Sequence, residues 1–171
     1  MEDDQTKTLG KRFFFVAWIF VFFILYLFFD QKLNNRYNPN QNPQSLRSDS
    51  SIEVILERNV YNAYVVTGSI NNEPVNFTVD TGATLVAVPS HMADRLGLQQ
   101  GASFQTITAN GTAIAYQTQI DKLQFGDIVL YDVQASISPG IRDPIVLLGM
   151  SALKKLEFTQ RGDTLTIRQY L

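Results

Sequence analysis

The sequence of 171 residues contains no cysteine and a single histidine, His91. Without cysteine the chain has no disulfide scaffold, no cysteine nucleophile and no thiolate ligands for a metal. A Ser-His-Asp triad would have to use His91, which opens a short predicted helix where an exposed position is ordinary. Metal binding would be left to carboxylates, and Asp121, Asp127 and Asp132 lack the spacing of a calcium loop. The composition therefore argues against a metal site.

Positive charge is also scarce. The chain has 14 Lys and Arg against 16 Asp and Glu, which gives a formal net charge of −2. Proteins that bind nucleic acids usually carry a basic stripe or a basic patch interleaved with aromatic residues, and no such pattern occurs here. We therefore predict no nucleic-acid partner.

Charge is missing altogether from residues 13–29, which hold eight of the twelve phenylalanines. At about 1.5 Å per residue, a helix of this length spans roughly 25 Å, the short end of what a bilayer core requires. We predict a transmembrane helix over residues 13–29 after a cytoplasmic tail over residues 1–12. A cleaved signal peptide is the competing interpretation. The run ends in Leu27-Phe28-Phe29-Asp30 rather than in small residues, so an uncleaved anchor is favoured.

The orientation of this segment is predicted from its flanks. Basic residues lie on both sides of it, so their number alone does not decide. Lys11 and Arg12 directly precede the apolar run, and a short first segment normally exports the part of the chain on its C-terminal side. We therefore predict a single-pass membrane protein whose larger part is exported, which in a bacterium means an inner-membrane protein with that part in the periplasm.

The remainder divides into a polar stretch and a β-rich domain. Residues 30–50 show no apolar period and predict a flexible linker that would reach roughly 65–70 Å when stretched. Residues 51–171 alternate apolar and polar positions between turn residues, which predicts one mainly β domain. Short helices are predicted near residues 90–96 and 151–156. The predicted strands cover residues 51–56, 63–70, 75–79, 84–88, 104–107, 112–123, 128–137, 145–148, 157–159 and 164–167.

Asp80-Thr81-Gly82 forms a predicted turn between two of these strands. Asp can act as general acid or base, Thr offers a hydroxyl that can fix the loop, and Gly allows close backbone approach. The same tripeptide also suits an ordinary turn, so the context decides. Further along, Asn110-Gly111 predicts a two-residue hairpin, and an apolar run that begins at Ile145 ends in Leu147-Leu148-Gly149.

With the motifs in this order, the sequence resembles the retropepsin-like aspartic proteases, and specifically their membrane-anchored, single-domain bacterial branch. The resemblance is carried by residues 77–84, 108–111 and 147–153 with the tail 158–165, and it covers roughly residues 52–171. It implies an all-β fold, a partly closed barrel with one or two short helices. It also implies roles for particular residues: Asp80, Thr81 and Gly82 in catalysis; Ala83, Ala109, Asn110, Gly111 and Thr112 in a substrate-binding flap and pocket; Leu147, Leu148 and Gly149 in support of the catalytic loop.

The same resemblance implies a homodimeric aspartic endopeptidase that acts on polypeptides without metal or organic cofactor. Each subunit would contribute one Asp80, and the two carboxylates would share a proton and activate a water. The chain has one Asp-Thr-Gly, and its domain is too short for two lobes. Two interpretations without catalysis stay open: a catalytically silent peptide-binding or envelope-assembly module on the same fold, and a structural anchor domain that scaffolds an envelope complex.

Overall fold

The computed structural model describes residues 2–108 and 111–171, with side chains from Phe14 onward. It divides the chain into two compact units, Met1–Arg36 and Tyr37–Leu171. The described residues of the first unit, 2–36, lie within helix α1, Glu2–Tyr37. The part Phe14–Tyr37 is long and apolar enough to cross a membrane, by length and composition.

Helix α1 continues well past the predicted end at residue 29. The added residues include the good helix formers Gln31, Lys32 and Leu33. The amide of Asn34 also donates to the carboxylate of Asp30 at 3.2 Å, a contact between successive turns of one helix face. Loss of hydrophobicity therefore marked the end of the apolar run, but not the end of the helix.

The second unit consists mainly of short strands. Ten of these strands lie where the alternating pattern predicted them, and each strand end differs from its predicted position by at most three residues. The two helices are shorter than predicted. The elements are β1 Ser45–Arg47, β2 Ser51–Glu57, β3 Val65–Ile70, β4 Glu73–Val79, β5 Val86–Pro89, α2 Ser90–Ala93, β6 Ser103–Thr108, β7 Gly111–Phe125, β8 Ile128–Ser138, β9 Ile145–Leu148, α3 Met150–Leu153, β10 Glu157–Arg161 and β11 Thr164–Tyr170.

These strands form two sheets around one core. The smaller sheet has the order β1-β2-β11-β10, and the larger has the order β3-β4-β9-β5-β8-β7-β6. The larger sheet curls until β3 also pairs with β7, which partly closes a barrel. Phe77 and Phe125 meet edge to face in its core, with ring centroids 6.3 Å apart. The predicted fold class, an all-β and partly closed barrel with short helices, is confirmed.

The segment predicted as a flexible linker, residues 30–50, differs from that prediction. Its first part is helical, and residues 38–47 belong to the second unit. Asn38 and Asn40 are buried, and β1 pairs with β2 through Ser45 and Val54. The folded unit therefore begins at Tyr37 rather than at residue 51. Asparagine and proline are typical of linkers, but asparagine amides can also hydrogen-bond strands that are distant in sequence.

Candidate active site

Asp80 follows β4 directly and opens the loop that leads to β5. Its N–H donates to the carbonyl of Leu148 at 3.2 Å, which ties the start of the loop to β9. Gly82 N–H donates to Asp80 Oδ1 at 2.9 Å, so the backbone of the turn holds one carboxylate oxygen. Asp80 is half-buried, whereas Thr81 and Gly82 are exposed. The carboxylate is therefore oriented by its own turn at a surface that solvent reaches.

Strand β9 lies between the strand that enters this loop and the strand that leaves it. It runs parallel to β4, with Val79 opposite Leu148, and antiparallel to β5. Beyond β9, Met150 N–H donates to the carbonyl of Ala83 at 2.8 Å. Ser151 N–H donates to the carbonyl of Thr84 at 2.9 Å. We term this arrangement, residues 80–86 with residues 147–151, the catalytic corner, after the role that the sequence predicts for Asp80.

Gly149 is required in the catalytic corner because of close packing. A Cβ at this position would lie 2.2 Å from the carbonyl oxygen of Leu85 and 2.7 Å from that of Ala83. Such distances are far below van der Waals contact, so only glycine lets the loop approach β9 and α3. Leu148 beside it is fully buried and Leu147 is half-buried. The structure therefore places Leu148 and Gly149 against the loop that carries Asp80, whereas Leu147 pairs with Thr78 on β4 and Ala87 on β5.

The predicted hairpin is formed by β6 and β7, which pair as far as Thr108 opposite Gly111. Gly111 has a φ of +107°, a conformation that favours glycine. Thr108 Oγ1 donates to the Gly111 carbonyl at 2.8 Å. Gly111, predicted to form the turn together with Asn110, instead begins β7, because it pairs with Thr108. Ala109 and Asn110 lie outside the described residues. The structure thus brings Asp80, Thr81, Gly82 and Ala83 together with residues 147–149, whereas Gly111 and Thr112 make their pairings within the hairpin.

Sequence reasoning gave Ser151 no role of its own. In the structure it is buried, and its hydroxyl oxygen accepts the N–H of Val86 at 2.9 Å. It therefore contributes a side-chain hydrogen bond that holds the chain as it leaves the Asp80 loop. The only signal was a lone hydroxyl within the apolar stretch that runs from Ile145 to Leu153.

Comparison with known proteins matches both the motifs and the fold. Residues 66–155 match the family model described as gag-polyprotein putative aspartyl protease. The crystal structure of a retropepsin-like aspartic protease from Rickettsia conorii is 25% identical, with a TM-score of 0.60 over 73% of this chain and 98% of that protein. A Sinorhizobium protein described as "Uncharacterized protein in cobV 5'region" is 30% identical over 125 residues.

The Sinorhizobium match covers 71% of this chain and 54% of the relative, so the chain spans about half the length of that protein. The family match includes the Asp80 loop, the hairpin and Gly149. The predicted resemblance to retropepsin-like aspartic proteases and the retropepsin-like fold are confirmed.

Proposed function

Because this chain belongs to the family of gag-polyprotein putative aspartyl proteases, we propose that it is an endopeptidase in which Asp80 activates a water molecule. The orientation of the Asp80 carboxylate carries this proposal: Oδ1 accepts the N–H of Gly82 at 2.9 Å, on a loop that the catalytic corner holds at both ends. A carboxylate held in place before the reaction can accept a proton from water with little reorganisation.

A second copy of the chain supplies the other carboxylate in this proposal. Water activation of this type uses two carboxyl groups that share one proton, because two close carboxylates cannot both ionise cheaply. The chain offers one Asp-Thr-Gly loop, and a two-fold axis brings the same residue of both subunits to one place. Thr81 and Gly82 are exposed on this loop. Thr81 would brace it against the loop of the other subunit, and Gly82 would allow their close approach.

The reaction then proceeds without a covalent enzyme intermediate. The ionised carboxyl group of the pair takes a proton from water, and the water oxygen bonds to the peptide carbonyl carbon. The protonated carboxyl group gives its proton to the carbonyl oxygen, which yields a tetrahedral diol. The diol collapses as the C–N bond breaks: the protonated carboxyl group gives its proton to the leaving nitrogen, the other carboxylate takes a proton from a diol hydroxyl, and the pair again holds one proton. No cofactor is required.

Polypeptides are the proposed substrates, held in an extended conformation by main-chain hydrogen bonds. The hairpin of β6 and β7 would act as the flap. Its exposed residues Gly111 and Thr112, with Ala109 and Asn110, would cover the substrate, and half-buried Ala83 would line the pocket beside Asp80.

We further propose that the protein is a single-pass protein of the bacterial inner membrane, with residues 1–12 in the cytoplasm and the second unit in the periplasm. The support is the apolar span Phe14–Tyr37. A reporter enzyme that works only outside the cytoplasm should be active when it is fused after Leu171. The mature chain should keep its N-terminal segment. A cytoplasmic reporter signal would contradict the orientation.

The substitution Asp80→Asn tests the proposed activity. Asn keeps the shape of the side chain and an oxygen that can accept the Gly82 N–H, but it removes the ionisable group. We expect cleavage of a denatured protein, mapped by mass spectrometry, to fall by about 10²–10⁴-fold. The wild type should show a bell-shaped pH profile with its maximum at mildly acidic pH, as expected of a coupled pair. Equal cleavage by Asp80→Asn would refute the proposal.

A further inference from the structure

Buried asparagines hold residues 37–40 within the second unit. Asn38, Asn40 and Asn59 are only 3%, 6% and 7% exposed. A buried amide is costly unless it is hydrogen-bonded, and all three have partners among the described residues. We term this group, Asn38, Asn40 and Asn59 with Thr67 and Asn76, the asparagine clasp. The hydrogen bonds of the three buried amides indicate a specific contact rather than chance packing of a linker.

Asn40 joins the two sheets. Its amide donates to the carbonyls of Glu57 at 2.9 Å and Val65 at 2.7 Å, and its Oδ1 accepts the N–H of Glu57 at 2.8 Å. The end of β2 is thereby connected to the start of β3. The main chain of Asn40 also accepts the N–H of Thr67 at 3.1 Å, in a parallel bridge beside β3. Asn40 therefore pairs with β3 in the way that a single residue of an additional strand would.

Asn38 reaches β4, the strand that leads to Asp80. Its amide donates to Thr67 Oγ1 at 2.8 Å and to Asn76 Oδ1 at 3.2 Å. Thr67 Oγ1 donates to Asn76 Oδ1 at 2.8 Å, and these two residues lie opposite each other on β3 and β4. Asn76 precedes Asp80 by four residues, about 13 Å along a strand.

The asparagine clasp contacts the middle of β4, and the catalytic corner begins where β4 ends. Strands β4 and β9 are parallel and pair from Asn76 opposite Ile145 to Val79 opposite Leu148. Asp80 and Gly149 follow directly. The side-chain amide of Asn59 donates to the carbonyl of Tyr37 at 2.8 Å. Tyr37 is the first residue of the second unit, so this hydrogen bond holds that unit at its beginning.

We propose that Asn38 and Asn40 are positioning residues: by fixing the middle of β4 beside β3, they fix the orientation of Asp80 at the end of β4. This inference rests on the proposed protease function. It makes residues 37–47 part of the enzyme rather than a tether. A cut in the exposed turn at residues 48–50 would then leave the catalytic unit bound, because the asparagine clasp and the pairing of β1 with β2 still hold it.

A retention assay tests the clasp without any need for peptidase activity. The full chain is placed in lipid vesicles, with the recognition sequence of a site-specific protease inserted at residues 48–50, and is cut to completion. Residues 51–171 should sediment with the vesicles in the wild type and in the control Asn42→Ala, an exposed asparagine of the same segment. The double variant Asn38→Ala with Asn40→Ala should release at least about tenfold more of them. If the wild type and the double variant release equal amounts of residues 51–171, the asparagine clasp does not hold these residues.

Kinetics of the uncut chain test the positioning role. Asn38→Asp keeps the acceptor for the N–H of Asn40, present at 2.9 Å, but lacks the donors to Thr67 and Asn76. Both Asn38→Asp and Asn38→Ala should lower kcat about tenfold with KM changed less than about twofold, because substrate contacts are untouched. Asn42→Ala should match the wild type. If kcat is unchanged in both Asn38 variants, Asn38 does not position Asp80. An inactive wild type would refute the proposed function and leave the retention result standing.

Discussion

The catalytic corner and the outer face of the smaller sheet are stabilised in opposite ways. The corner relies on main-chain hydrogen bonds, on the close approach at Gly149 and on one buried hydroxyl. The outer face relies on charged side chains, where Arg168 contacts Glu53 at 2.8 Å and Glu157 at 3.3 Å. Arg168 and Glu157 remain 32% and 45% exposed, so water screens their attraction.

This difference shows where the molecule can tolerate change. An exposed ion pair contributes about 0–1 kcal/mol, whereas a buried donor left without a partner costs about 1–3 kcal/mol. The catalytic corner thus places its least replaceable contacts around Asp80, the residue that we propose activates water. The charged face can vary with little effect on the site.

Replacing Gly149 by Ala should have the largest effect. The added Cβ would lie 2.2 Å from the carbonyl of Leu85, so the catalytic loop must move. We expect a loss of about 3 kcal/mol in the free energy of unfolding and a loss of most activity. Gly140→Ala is the matched control, because no atom lies within 4 Å of a Cβ there. Denaturant titration and peptide cleavage measure both, and equal behaviour of the two variants would contradict the packing argument.

Ser151→Ala should come next. It leaves the N–H of Val86 buried without its present acceptor, which costs about 1–3 kcal/mol in unfolding free energy. Ser90→Ala, at an exposed position, should cost less than about 0.5 kcal/mol. If the two variants have the same midpoint in denaturant titration, the hydroxyl of Ser151 does not support the corner.

On the charged face, Arg168→Met should change little. It removes the ion pairs with Glu53 and Glu157 but keeps most of the aliphatic stem. We expect a loss of less than about 1 kcal/mol in unfolding free energy, a smaller loss at high salt, and unchanged activity. A loss as large as that of Gly149→Ala would remove the contrast between the two regions.

Tyr170→Phe should produce the smallest effect, visible only in a titration. The Tyr170 hydroxyl donates to Glu157 and, together with the charge of Arg168, lowers the pKa of that carboxyl below its ordinary value. The contribution of this depressed group is present above the unfolded pKa and is lost as the pH falls through the folded pKa. The pKa of Glu157 followed by NMR should rise in Tyr170→Phe. An unchanged titration would show that another contact holds it down.

Local pattern predicted most of the barrel but not the asparagine clasp. Strands such as β4 and β9 are apolar or alternating runs, and Asn110-Gly111 between two such runs predicts a hairpin, which the structure forms one residue earlier. Asn38 and Asn40 lie among polar residues and prolines, and nothing near them in sequence reveals their partners. Glu57, Val65 and Asn76 become their neighbours only once the sheets have formed. The role of Ser151 was hidden for the same reason, since Val86 lies far away in sequence.

A mixing experiment tests the central claim most directly, that two copies of Asp80 form one site. Wild-type chain is equilibrated with a ninefold excess of Asp80→Asn, and peptide cleavage is measured per wild-type chain. Random pairing leaves about one wild-type chain in ten with a wild-type partner, so activity per wild-type chain should fall to about one tenth. Activity per wild-type chain that does not change with the excess of Asp80→Asn would contradict the composite site.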